Sequence, residues 1–218
     1  MTPLAAADYD GWYDTERGMW IGETEYRLLL ELLEPQPGEA ILDVGCGTGW
    51  FTRRLAVLPD TRVTGIDINE DWLRYARGRD AASVYVEADA RHLPFDDKHV
   101  DRTVSVTALS FVADWPLAIR EIVRVTRSRF AIALLNRDGL LWREKGQGEG
   151  RGAYRGAHWH TADELRPVLD ALPVRNVQFR TAVFLPSGSD EARQAESLIP
   201  ATLPWGSILF VTGDVLKK

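Results

Sequence analysis

Cysteine is nearly absent: Cys46 is the only one in 218 residues. That excludes an intramolecular disulfide framework and any cysteine-rich metal site. A basic excess is missing too. Lys and Arg number 26 against 32 Asp and Glu, a net charge of −6, so no nucleic-acid footprint is expected. Arg151, Arg155 and Arg166 are near one another in sequence and read as a solvated surface. No stretch approaches the roughly 18 consecutive apolar residues of a membrane span. Residues 1–8 lack the basic segment and apolar core of a signal peptide. These absences lead to the expectation of a cytoplasmic protein with no membrane span. The remaining composition, 45% hydrophobic and 27% charged, is that of a globular chain long enough for one full core. No internal repeat or linker divides it, so residues 1–218 read as a single domain.

Strand and helix signals alternate along the chain, which predicts an α/β doubly wound sheet. Residues 23–33 carry Tyr26, Leu29, Leu30 and Leu33 on one helical face, ahead of Pro35 and Pro37. Strands are expected at 40–44, 62–68, 83–87, 100–106 and 129–135, and helices at 50–58, 70–77 and 116–125. Four glycines in residues 146–152 predict a mobile loop rather than a regular element; this is the centre of a variable stretch, 136–160. Thr161 and Glu164 read as a capping box opening a helix to Leu172. Closing strands are expected at 174–185 and 207–214, with a short acidic helix at 190–197 between them.

The most informative stretch runs from Ile41 to Gly49. An apolar strand reaches Asp43, then Gly45, Gly47 and Gly49 alternate, and an amphipathic segment follows. Such a turn lets backbone approach a ligand closely at a helix start. A dinucleotide fingerprint, G-x-G-x-x-G/A, would need a small residue at Trp50. The observed G-x-G-x-G spacing therefore speaks against an NAD-linked oxidoreductase. Twenty-two positions after Gly45, Asp67 closes a predicted strand, where a carboxylate can accept hydrogen bonds from both hydroxyls of a ribose. A third segment, Glu87-Ala88-Asp89-Ala90-Arg91-His92-Leu93-Pro94-Phe95, follows the next strand.

Together these segments resemble the class I S-adenosylmethionine-dependent methyltransferases, in particular the small-molecule group that includes the ubiquinone and menaquinone biosynthetic enzymes. The resemblance runs from Tyr9 to Thr161. It implies a Rossmann-like, seven-stranded, mostly parallel sheet flanked by helices, with the last strand antiparallel. It implies S-adenosyl-L-methionine as cofactor and S-adenosyl-L-homocysteine as product. Gly45, Cys46 and Gly47 would meet the methionine part, Asp43 its ammonium end through water, and Asp67 with Ile68 the ribose. Asp89 would meet the adenine amine, Ala90 a ring nitrogen, and a carbonyl near Val106 or Thr107 the ammonium. Tyr9, Trp12, Tyr13 and Trp20, within residues 1–35, would form an aromatic lid, with Tyr13 and Trp20 reaching the cofactor; core packing is the competing role.

Cys46 has no neighbour in sequence that would lower its pKa, so it reads as a small turn residue. Where relatives often carry paired histidines after the fourth strand, this chain has Ser110-Phe111, which leaves alignment chemistry or a base from elsewhere. His158 and His160 are the candidate bases, having a near-neutral ordinary pKa; solvated imidazoles at a helix entry are the alternative. Two histidines in three residues also invite a metal, but no acidic partner pattern accompanies them, so none is expected. Trp142, Trp159 and Trp205 suit an aromatic acceptor pocket, core burial or a dimer contact equally well. The expectation is a methyltransferase acting on a small apolar or aromatic metabolite, as monomer or homodimer. A non-catalytic S-adenosylmethionine-binding sensor or assembly protein is the alternative.

Overall fold

The computed structural model describes residues 5–216. Its elements in chain order are α1 (Ala6–Trp12), α2 (Glu16–Leu33), β1 (Ala40–Val44), α3 (Trp50–Leu55), β2 (Arg62–Asp67), α4 (Glu70–Arg79), β3 (Val84–Glu87) and β4 (Val100–Val106). A 3₁₀ turn (Ala108–Phe111) leads into α5 (Trp115–Val125), β5 (Thr126–Leu135), α6 (Ala162–Asp170), β6 (Val174–Ala182), α7 (Asp190–Leu198) and β7 (Ile208–Val215). The seven strands form one sheet in the order β3-β2-β1-β4-β5-β7-β6. All pairs are parallel except those of β7, which runs antiparallel between β5 and β6. The expected α/β sheet with an antiparallel last strand is present.

Alternation along β1 explains the two layers of core. Ile41 joins the face covered by α2 and α3, with Leu29, Leu33, Phe51 and Leu55. Leu42 and Val44 join the opposite face, under Ile119, Ile122 and Leu165. Helix α2 is longer than residues 23–33: Thr15 caps it by accepting from Gly18 N at 3.0 Å, seven residues earlier than the apolar spacing indicated. The glycine-rich stretch is not purely irregular. Trp142–Gly146 makes one π turn and Gly152–Tyr154 one 3₁₀ turn, which sequence composition dominated by glycine concealed.

The chain builds β1, β2 and β3 outward in one direction and then returns to place β4 on the other side of β1. The loops after β1 and β4 consequently diverge and leave a crevice beyond the carboxyl ends of the strands, where ligands bind in open α/β sheets.

Candidate functional site

That crevice holds a cavity of about 640 Å³. The turn after β1 forms its floor. Gly45, Gly47 and Gly49 all adopt positive φ, of 74°, 57° and 80°. At Gly45 a Cβ would lie 2.2 Å from the Cβ of Ala108, so both conformation and space require glycine there. Gly45 N and Cys46 N donate to Ile66 O, each at 2.8 Å, tying the turn to β2. Asp67, at the end of β2, accepts from Gly47 N and Asn69 N at 2.9 Å each. One carboxylate thus fixes both the glycine turn and the following helix entry, with lone pairs left for ligand hydroxyls.

Asp43 is buried beneath the turn and accepts from Thr52 Oγ1 at 2.7 Å. Burial pushes its carboxyl up to about 7, opposed by the threonine and reinforced by Asp67. A nearby ammonium would restore its charge. Asp89 is held by Arg91 through contacts of 2.6–3.1 Å, which keep its carboxyl down at about 2. Burial raises the Cys46 thiol well above its ordinary value, which disfavours the thiolate.

Among the expected cofactor residues, Tyr13, Asp43, Gly45, Cys46, Gly47, Asp67, Ile68, Asp89, Ala90 and Val106 all line this cavity. Trp20 does not. It is half-buried against the core, with Arg193 5.8 Å from its ring. Tyr9 and Tyr13 supply the aromatic cover instead. Tyr9 packs on Trp72 with ring centroids 4.7 Å apart, and Tyr13 stacks on Trp50 at 4.3 Å. Trp50 and Trp72 both face the cavity, a role their spacing on α3 and α4 hid behind ordinary helix amphipathicity. Trp142 and buried Trp159 join the core, while Trp205 is exposed; none of the three lines the cavity.

His158 and His160 lie outside the cavity lining as well. They pack against Trp115, at 6.0 and 5.0 Å between ring centroids. His160 is buried, not solvated, and desolvation, with His158 and Arg137 adding, takes it down to about 3. Neither histidine is placed to accept a proton from a group inside the cavity. Among the described residues no histidine or lysine lines that cavity, and Tyr9, raised by burial to about 12, is no base at neutral pH.

Two features escaped the sequence reading. Asp10 on α1 is buried and receives Thr48 Oγ1 at 2.8 Å, Arg53 Nη2 at 2.8 Å and Tyr75 Oη at 3.3 Å. Arg53 Nη1 also donates to Thr48 O at 2.6 Å. This clamp fastens the N-terminal helix to the glycine turn. Glu25 on α2 is buried beside Tyr9, Tyr13 and Tyr154, and desolvation pushes its carboxyl up to about 8. No local motif marks either acid; only packing reveals them.

Residues 42–132, which contain the glycine turn, Asp67, Asp89 and β4, match the family described as "Methyltransferase domain". Over this segment the chain is similar to methyltransferases. It is 32% identical to a malonyl-[acyl-carrier protein] O-methyltransferase of Yersinia pestis over 80% of this chain and 59% of that protein. It is 37% identical to a demethylmenaquinone methyltransferase of Symbiobacterium thermophilum over 57% of this chain and 47% of the relative. The chain spans about half the length of the curated relatives it matches. In fold, the chain resembles a Thermotoga maritima structure described as an SAM-dependent methyltransferase and possible histamine N-methyltransferase. The TM-score there is 0.76, with 20% identity over 96% of this chain and 95% of the other.

Proposed function

We propose that the protein binds S-adenosyl-L-methionine in the cavity above β1 and transfers its methyl group to a small, apolar or aromatic metabolite. The observation carrying this reading is the convergence of the glycine turn, Asp67 and Asp89 on one 640 Å³ cavity whose lining also holds aromatic and aliphatic side chains. Residues 1–218 act as one unit in this reading, with α1 as part of the site.

The cofactor supplies an electrophilic methyl carbon on a sulfonium, which leaves as a neutral thioether. The residues present suit it. The backbone of Gly45 and Gly47 lines the cavity with no side chain of its own, Asp67 offers lone pairs to two hydroxyls, and buried Asp43 gains its charge beside an ammonium. The acceptor end in this reading is the apolar part of the lining, Tyr13, Phe51, Leu109, Phe111 and Val112. Such a wall positions an acceptor in line with the donor and excludes water, which suffices when charge disperses in the transition state. With no base among the described lining residues at this end, the acceptor reacts through a lone pair that is already available, or one whose proton leaves to solvent.

Calorimetry with S-adenosyl-L-homocysteine, followed by radiolabelled methyl transfer to a metabolite extract, tests both halves of the proposal. Saturable binding with label appearing in a small organic product supports it. Binding with no transfer to any acceptor would favour the non-catalytic alternative, and absence of binding would overturn the reading altogether.

A further inference from the structure

His158, His160 and Glu164 converge outside the cavity. One ligand atom from each, two imidazole nitrogens and a carboxylate oxygen, all lie within 4.8 Å of one another. Sequence order alone did not reveal this, because the acidic partner sits beyond the strand-to-helix corner. Residues 158–160 are extended, and His160 makes a parallel bridge with Asn136. Alternation therefore sends Trp159 into the core and both imidazoles to the opposite side. The helix that starts at Ala162 then swings Glu164 back toward them, leaving its Oε2 3.4 Å from His158 Nε2.

We propose that His158, His160 and Glu164 form a binding site for one divalent transition-metal ion of the zinc type. The second observation behind it is His160 itself. The residue is fully buried, and neither Nδ1 nor Nε2 has a hydrogen-bond partner among the described residues. Buried imidazoles are almost always satisfied, so an orphaned pair of nitrogens in a nest of other ligands needs an occupant. Two imidazoles and one carboxylate with further positions open to water form a donor set suited to zinc, cobalt or iron(II). Ligands about 2.0–2.2 Å from a tetrahedral ion lie about 3.4 Å apart, the separation His158 Nε2 and Glu164 Oε2 already have, so the remaining ones, all within 4.8 Å, need to close by about 1.4 Å at most. His158 and Glu164 keep 47% and 30% side-chain exposure and have the freedom to do so, while giving an ion a path from solvent.

Backbone bonds pre-organise the arrangement. His158 N donates to Ser110 O at 2.7 Å and His160 N to Leu135 O at 2.8 Å. The ion would thus pin the 3₁₀ turn that walls the cavity to the first turn of α6. One charge opposes it: Arg137 Nη2 lies 3.0 Å from Glu164 Oε1. Glu164 Oε2 also accepts from Thr161 N at 3.3 Å, so a metal would share this oxygen with the capping box.

The test uses tag-free, chelator-treated full-length protein titrated with Co2+, read by its visible ligand-field absorption, and with Zn2+ against a chromophoric chelator. One equivalent should bind. His158→Ala and Glu164→Gln should each weaken affinity about tenfold or more, since even outer-shell changes cost about 10–100-fold. Arg137→Met, which removes the opposing charge, should tighten it. Because His160→Asn risks the fold, the assignment rests on these three partly exposed positions. No saturable uptake, or affinity unaltered in both His158→Ala and Glu164→Gln, would overturn it. The readout is independent of the cofactor: homocysteine-nucleoside binding without metal uptake sinks this site alone.

Discussion

Removing the Asp10 carboxylate is the most direct test of how the cavity is closed. Helix α1 has seven residues, too few to be helical alone in water, so its position depends on the contacts it makes. Breaking a fully buried ion pair costs about 3–5 kcal/mol. Here Asp10 is 4% exposed but the Arg53 side chain is 21% exposed, and Arg53 keeps its bond to Thr48 O. That moves the ionic part to the low end of the range. Thr48, 1% exposed, loses the acceptor of its hydroxyl, a further cost of about 1–3 kcal/mol that overlaps the first. A net loss of about 3 kcal/mol in docking α1 follows. If α1 lets go, Tyr9 and Tyr13 leave the cavity wall, and at 1.4 kcal/mol per decade S-adenosyl-L-homocysteine affinity falls up to about 100-fold. Asp10→Ala should therefore bind the thioether weakly by calorimetry and show fast amide exchange confined to residues 6–14, while the sheet stays protected. Asp10→Asn should fall between. Affinity within twofold of the parent, together with unchanged exchange in α1, would refute the clamp.

Other perturbations have equally definite outcomes. Asp67→Ala removes a charged acceptor, worth about 1.5–3 kcal/mol, so thioether binding should drop about 10- to 100-fold while far-ultraviolet circular dichroism stays native; undiminished affinity in folded protein would remove its ribose role. Gly45→Ala should lower the melting temperature, because φ is +74° and the new Cβ would sit 2.2 Å from Ala108 Cβ; adding Ala108→Gly should recover part of the loss, and no recovery would place the damage elsewhere. Glu25 has a folded pKa raised from 4.5 to about 8, so the native state holds the extra proton. Its contribution to stability is fully present below about pH 4.5 and is lost as pH rises toward 8. Glu25→Gln should therefore be more stable than the parent by about 3 kcal/mol at pH 7 and flatten the chemical-denaturation profile across that window. Parallel profiles for the two proteins would show that Glu25 is not desolvated.

How far the sequence reached follows from what each feature depends on. The five parallel strands, the glycine turn and the acids at or just past the ends of β1, β2 and β3 were readable because each is a local pattern: an apolar run, a residue able to take positive φ, a carboxylate at a strand end. Strand order came through resemblance to a family, not through periodicity. The start of α2 was missed because Thr15 and Gly18 carry a cap where no apolar stripe has begun. Trp20 was misassigned because aromatic residues near a chain start look alike until a helix fixes which way each points.

Sequence by itself determined most element types, the glycine turn and the chemistry available at strand ends, since these arise from neighbours within a few residues. Tertiary structure alone decided which of the aromatic residues face the cavity, that His158 and His160 turn away from it, that Glu164 joins them, and that Asp10 meets Thr48 and Arg53. Those outcomes depend on which faces of distant segments are packed together, and a side chain's direction after packing is set by the whole core.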